Sequence, residues 1–514
     1  MCGQLSTEFK LPLAPRYYSA ARSRESLEGG EPELKGGGKF LSAFVASLAF
    51  VVVCVIFARA QEGDLTSSAG VYIKPTHAGA RAPQGERSSA GRNFATRKNR
   101  PKPTPAPTPK TSGGKTTPTA ESLNAKATAA IDAKRYADAV EPLRQAVKLK
   151  PDFEDAQYNL GFALFSLGQF ADAVSPLQRA SQLDAKDADA FYYLGASLAK
   201  LDRHSEATAA YDQASRLEPK DAETLAALGG EYAAAGDADR AIDALRRAVA
   251  INPDDAGAQS DLGEALYAKG KYAEAVEAFR QVVRVAPLNG EAFEGLADSY
   301  FELERFADAS AAFRDAARLN ANDEDLYERL GYSLGREKRW PDAADALRKA
   351  ISLRPDDAEA NVNLAWVYNN TGQYQQAVDT LKPFIAKVPN MAAAHFNLGT
   401  ALGHLAQTGA KNDAEKNALF TQAVESFNQA IRLRPDWPEA HNNLGVALGS
   451  LGRFKEAVQA HAEAVRLKPD YAGALYNLAY AYRKTGDKKS AMDTYQKLKA
   501  INPSMADQLY PHIK

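Results

Sequence analysis

Cysteine is nearly absent from this chain of 514 residues. Cys2 and Cys54 are the two it has, and the 454 residues after Ala60 hold none. For that long stretch, thiol nucleophiles, thiolate metal sites and structural disulfides are excluded. Histidine is also sparse, seven in all, and those within the repeats, His204, His395, His404, His441 and His461, are scattered, with no second and third ligand at metal-binding spacing. Phosphate loops, nucleophile elbows and paired-carboxylate motifs are missing as well. The chain is therefore expected to be no enzyme and to carry no cofactor and no metal.

Long apolar runs are confined to one place. Phe40 to Ala58, FLSAFVASLAFVVVCVIFA, is uncharged and bounded by Lys39 and Arg59. At roughly 1.5 Å per helical residue it reaches about 28 Å, close to a bilayer's hydrocarbon thickness. Arg22, Arg24, Lys35 and Lys39 precede it, against Arg59 and Lys74 after it, so the head, 1–39, is expected to be cytoplasmic and disordered. The expectation is a single-pass signal-anchor protein with its C-terminal body periplasmic or at the cell surface. A rival reading takes Ala58-Arg59-Ala60 as a signal-peptidase site, giving a secreted chain that starts at Gln61.

Ordinary core composition fails next. Residues 59–119 are rich in Pro, Thr, Ser and Gly, and residues 61–119 hold 10 basic against 3 acidic side chains. Such a segment buries too little apolar area to offset its ordering entropy, so it reads as a disordered linker. From residue 120 onward, 46 basic side chains face 56 acidic ones, although the whole chain balances near −1.

What fills that acidic body is repetition. Residues 440–458 read AHNNLGVALGSLGRFKEAV and residues 156–174 read AQYNLGFALFSLGQFADAV. A 34-residue period links them, giving eleven units that start at 120, 154, 188, 222, 256, 290, 324, 358, 392, 438 and 472; the ninth carries an insertion near 406–418. Slot 20 of every unit is Ala, from Ala139 to Ala491, and slot 8 is always Gly or Ala. Gly costs about 1 kcal/mol against Ala inside a helix, so its recurrence points to close helix approach. Slots 4, 7, 8 and 11, as in Phe191, Leu194, Gly195 and Leu198, form the buried stripe of a first helix. A glycine at slot 15, as in Gly168 or Gly452, suits a left-handed helix end, and an aromatic at slot 17, as in Phe170 or Trp340, opens a second helix. Pro at slot 32 ends it, and Asp at slot 33, as in Pro253-Asp254, is expected to cap the next.

Slot by slot, residues 120–505 resemble the tetratricopeptide repeat. That resemblance implies an all-α, right-handed α-solenoid of helix-turn-helix units, here preceded by a transmembrane helix and a disordered linker. Residues 506–514 would form a short polar cap. It also implies that slots 2, 6, 9 and 13, with 5 and 12 beside them, line a concave groove. Slot 6 is Asn at Asn159, Asn363, Asn397, Asn443 and Asn477. A side-chain amide pairs with both the N–H and the C=O of a passing peptide, and an advance of about 10 Å per unit would grip roughly every third residue. The run resembles the asparagine ladder in the tetratricopeptide superhelix of O-linked N-acetylglucosamine transferase, without that family's catalytic domain.

The expected peptide-binding residues are those five asparagines with Trp366, Asn370, Phe396, Tyr476, Tyr480, Arg483 and Lys484. An acidic groove of Asp261, Glu264, Glu294, Asp298 and Glu302, followed by Arg329 and Arg336, suits a basic segment; the chain's own basic linker is one candidate. The function expected is a membrane-anchored, non-catalytic scaffold for extended protein segments, with no nucleic acid as partner and oligomer formation open. The alternatives are a secreted structural or assembly subunit and an accessory subunit of a separately encoded enzyme such as a glycosyltransferase.

Overall fold

The computed structural model describes residues 70–74 and 118–514. All of them belong to one compact unit, 63–514; the other unit, 1–62, lies outside the described residues, as do the expected head and apolar run and most of the linker. Among the described residues no helix is long and apolar enough to cross a membrane. That finding overturns the single-pass membrane placement, and residues 40–58, on which it rested, lie outside the described residues.

Twenty-three helices and no strand make up the described structure. They are α1 (Ala120–Asp132), α2 (Tyr136–Leu149), α3 (Glu154–Ser166), α4 (Phe170–Leu183), α5 (Ala188–Ala199), α6 (His204–Leu217), α7 (Ala222–Ala234), α8 (Ala238–Ile251), α9 (Ala256–Ala268), α10 (Tyr272–Val285), α11 (Gly290–Glu302) and α12 (Phe306–Leu319). There follow α13 (Glu324–Arg336), α14 (Trp340–Leu353), α15 (Ala358–Asn370), α16 (Tyr374–Lys387), α17 (Ala392–Thr408), α18 (Asp413–Leu433), α19 (Pro438–Ser450), α20 (Phe454–Leu467), α21 (Ala472–Thr485), α22 (Lys488–Ile501) and α23 (Pro503–Ile513). Each helix packs on its successor, and the odd-numbered helices also touch their odd-numbered neighbours at nearly every step. The odd helices therefore form the inner wall of a stack. In the ninth unit α17 and α18 are lengthened to 17 and 21 residues, from the 13 and 14 of α1 and α2.

The small slots have a direct cause. A Cβ on Gly161 would stand 2.4 Å from Leu177, one on Gly331 2.5 Å from Leu347, and one on Gly445 2.5 Å from the His461 ring. Slot 24 of the second helix thus lies on the backbone of slot 8. Ala139, Ala173, Ala309 and their counterparts at slot 20 are fully buried by the same approach. Turns between the paired helices use positive φ at slot 15, as in Gly168 at 73° and Gly372 at 73°. The caps depart from expectation by one residue. Asp187, Asp221, Asp255, Asp323 and Asp357 accept from backbone N–H groups, whereas Asp152 and its slot-33 counterparts precede the cap position.

Candidate functional site

Residues 70–74, Gly-Val-Tyr-Ile-Lys, lie extended against the inner wall of units six to nine. Asn397 on α17 accepts from the Val71 N–H at 2.7 Å and donates through Nδ2 to the Val71 carbonyl at 2.7 Å. Asn363 on α15 repeats the pattern on Ile73, accepting at 2.8 Å and donating at 2.9 Å. Both asparagines are fully buried. Amides 34 positions apart in the chain thus satisfy alternate residues of one segment. The step is two residues per unit, whereas about three was expected. The segment runs along the inner side, where odd helices touch, and two extended residues advance only about 6.8 Å.

Side chains complete the contact. The Tyr72 ring meets Tyr332 edge-on at 5.4 Å and Trp366 at 5.2 Å, and the Arg336 guanidinium lies 5.0 Å from the same ring. Arg336 is held there by donating to the Tyr332 hydroxyl at 2.9 Å. Burial raises the pKa of that hydroxyl, although Arg336 pulls against the rise, so Tyr332 stays a neutral phenol at ordinary pH. Gly335 makes room for the indole, since a Cβ there would sit 2.5 Å from Trp366. At the far end the Lys74 ammonium pairs with Glu302 at 2.8 Å and lies 5.2 Å from the Phe301 ring.

The other expected residues divide. Asn159 is turned to unit one, donating to Asn124 Oδ1 at 2.9 Å. Asn477 donates to Asn442 Oδ1 at 3.1 Å, and Asn443 Oδ1 accepts from Asn442 at 3.4 Å, so two ladder positions are tied within the wall itself. Asn370 donates back to the Trp366 carbonyl at 2.8 Å. Tyr476 and Tyr480 are half-buried on α21, and the Lys484 ammonium lies 5.1 Å from the Tyr480 ring. Arg483 Nε is buried with no hydrogen-bond partner. Phe396 does not line the groove. It is fully buried, stacked on Trp437 at 4.4 Å and edge-on to Phe427 at 5.8 Å.

The acidic stretch is changed most. Arg329 is 6% exposed and donates to Glu294 at 2.9 Å and Asp298 at 2.5 Å, which sets one positive charge between the two carboxylates from inside. Asp261 and Glu264 stand further along, on α9, and Glu302 takes Lys74. The segment 70–74, Tyr332 and Phe301 escaped sequence reasoning. The signal was there in VYIK, an aliphatic and aromatic alternation inside a linker otherwise poor in apolar residues. His395 and His441 each bring Nε2 within 2.9 Å or less of the carbonyl of the proline that ends the preceding unit, Pro389 and Pro435.

One further polar cluster stands out on α13. Burial, then Asp357, Glu359 and Asp325, push the Glu328 carboxyl up to about 9, and its Oε1 has no hydrogen-bond partner. The neighbouring Asp325 and Asp357 are both occupied by Arg354, at 3.0 and 2.6 Å. Glu328 is therefore a neutral buried acid beside an arginine-bound pair.

Comparison with known families bears on the whole stack. Models described as tetratricopeptide repeat match residues 266–330, 336–402 and 450–510, and a further repeat model matches 420–452. This chain is a tetratricopeptide repeat protein. The C-terminal domain model of cilia and flagella-associated protein 70 matches the earlier tetratricopeptide units, over residues 122–294. No curated protein matches the chain. Solved structures similar to this tetratricopeptide array include MamA, at 26% identity over 31% of this chain and 93% of that one, with a TM-score of 0.30. YrrB, described as a tetratricopeptide protein with an unusual peptide-binding site, shows 21% identity over 42% and 95%, at 0.29. A thermophilic tetratricopeptide protein of Thermus thermophilus shows 23% identity over 37% and 98%, at 0.32.

Proposed function

We propose that the inner face of units six to nine binds extended protein segments by their backbone, making the protein a scaffold for such segments. The carrying observation is the paired use of the Asn363 and Asn397 amides on Ile73 and Val71. Each asparagine matches one donor and one acceptor of a strand, which any residue but proline presents. Four neutral hydrogen bonds at about 0.5–1.5 kcal/mol each are enough to decide between bound and free.

A labelled peptide copying residues 67–75 tests this, added to a full chain whose own segment carries Val71→Ser, Tyr72→Ser and Ile73→Ser. Adding Asn363→Ala and Asn397→Ala to that chain should weaken binding by about 30-fold or more, at about 1.4 kcal/mol per factor of ten. The thermal midpoint should move by only a few degrees, since four of the five bonds concerned reach the segment and one, from Asn397 Nδ2 to the Val362 carbonyl at 3.2 Å, lies within the wall. Unchanged peptide binding with a large fall in midpoint would assign the two asparagines to the solenoid alone.

A further inference from the structure

Backbone capture by asparagine says nothing about which segment is taken, but the walls around residues 70–74 do. Gly70 has φ 93° and lies so close that a Cβ would stand 2.6 Å from Asn397 Oδ1 and 3.2 Å from Asn369 Nδ2. A side chain there is opposed both by the left-handed backbone and by two buried amides. Two residues on, Tyr72 fits between Tyr332 and Trp366 with Arg336 against its face, an arrangement that rewards an aromatic ring through edge contacts and a cation. Two residues further, Lys74 meets Glu302 and the Phe301 ring, which together favour a cation. Between these positions Val71 and Ile73 are half-buried and pack on the core.

We infer that the groove selects segments of the pattern glycine, aliphatic, aromatic, aliphatic, basic, bound with their N-terminal end at unit nine and their C-terminal end at unit six. Residues 70–74 are the resident copy of that pattern and compete with any outside segment that carries it. This rests on the backbone-binding role proposed above.

Several features make the resident segment exchangeable. Tyr72 is 41% exposed, and the Lys74 side chain is 51% exposed, so the segment lies on the groove instead of being enclosed by it. It enters none of the helix pairs that stack the solenoid. More than forty residues separate it from α1, and attachment to the same chain gives it a local advantage over any segment free in solution. An outside segment must overcome that local excess. Partners with several matches or high local concentration will therefore succeed where a single weak one fails.

The same labelled peptide, SSAGVYIKP, decides the matter when its sequence is varied against the full chain bearing Val71→Ser, Tyr72→Ser and Ile73→Ser. Changing the peptide's tyrosine to alanine should weaken binding at least about ten-fold, and changing its glycine to alanine or its lysine to glutamate should each weaken it several-fold. Glu302→Lys in the protein should restore the glutamate peptide in part, a reversal that general misfolding would not produce. Wild-type chain should bind the unchanged peptide at least about ten-fold more weakly than the chain with its own segment removed. If all peptides bind alike, selection is overturned while backbone binding stands. If none binds, the backbone-binding role itself fails. Concentration-dependent dimers of wild-type chain that vanish with Tyr72→Ser would show the groove filled by a second copy, which overturns internal competition.

Discussion

At the scale of single residues, one backbone conformation is solved in two ways within the same chain. Slot 15 ends the first helix in the left-handed region, where glycine carries no Cβ penalty; Gly168, Gly236, Gly270, Gly372, Gly452 and Gly486 occupy it so. Lys134, Asp202, Glu304 and Lys338 hold the same place at φ between 55° and 60°. For an L residue that region costs on the order of 1–2 kcal/mol, partly offset by the extra freedom glycine gives the unfolded chain. Lys338→Gly and Glu304→Gly should therefore each raise stability by about 0.5–1 kcal/mol, read as a higher urea midpoint with an unchanged slope. Lys134→Gly should do the same locally at the first unit. A fall in midpoint would mean that the side chains make contacts outweighing the strain.

At the scale of elements, α20 carries a choice found nowhere else at its slot. Where units five and nine place Phe279 and Phe427 against the small residue of the first helix, unit ten places His461, closed in against Gly445. Burial pulls its imidazole down to about 3, and Nδ1 lies 3.1 Å from Asn442 Oδ1, so the ring is neutral in the fold. The unfolded chain takes up a proton near pH 6.5, earlier than the folded one. Stability is therefore whole above about pH 6.5 and drains as pH falls toward 3, by up to about 1.4 kcal/mol per unit. His461→Phe should flatten that acid slope between pH 6.5 and 4.5 in urea titrations, and identical slopes would contradict the assignment. Elements of this kind were legible in advance because slots 8, 20 and 24 meet in every unit, so their identities repeat with the period. Phe396 was not, since slot 5 was placed beside the inner face, whereas it is buried in most units, as at Tyr192 and Val362, and Phe396 packs on both Trp437 and Phe427. The cap position was misjudged by one residue because Asp at slot 33 and Asp at slot 34 are equally able acceptors in sequence. Residues 70–74 were hidden for another reason: a five-residue extended segment has no periodicity of its own, and its register is written in asparagines about 300 positions away.

At the scale of the whole molecule, two forces could bring the linker to the solenoid, and they differ in range. Residues 61–119 carry an excess of seven positive charges, and the body from residue 120 an excess of ten negative ones, so long-range attraction exists at low salt. Yet among the described residues the contacts made by 70–74 are mostly neutral. The four amide hydrogen bonds carry no net charge, the Tyr72 ring lies among aromatic neighbours, and one ion pair, Lys74 with Glu302, joins them. That pair is half-exposed on the lysine side, where such bridges contribute under about 1 kcal/mol. Salt shortens the screening length from about 10 Å at 0.1 M to about 3 Å at 1 M and should weaken attraction at a distance far more than bonds at 2.7 Å. Amide hydrogen exchange at Val71 and Ile73 separates the two. Protection should fall by less than about five-fold between 0.05 and 1 M salt, the factor that 1 kcal/mol allows. Asn363→Ala with Asn397→Ala should remove it at either salt. Protection that vanishes at 1 M in the unaltered chain would mean that charge holds the linker, and that the asparagines merely line the path along which it lies.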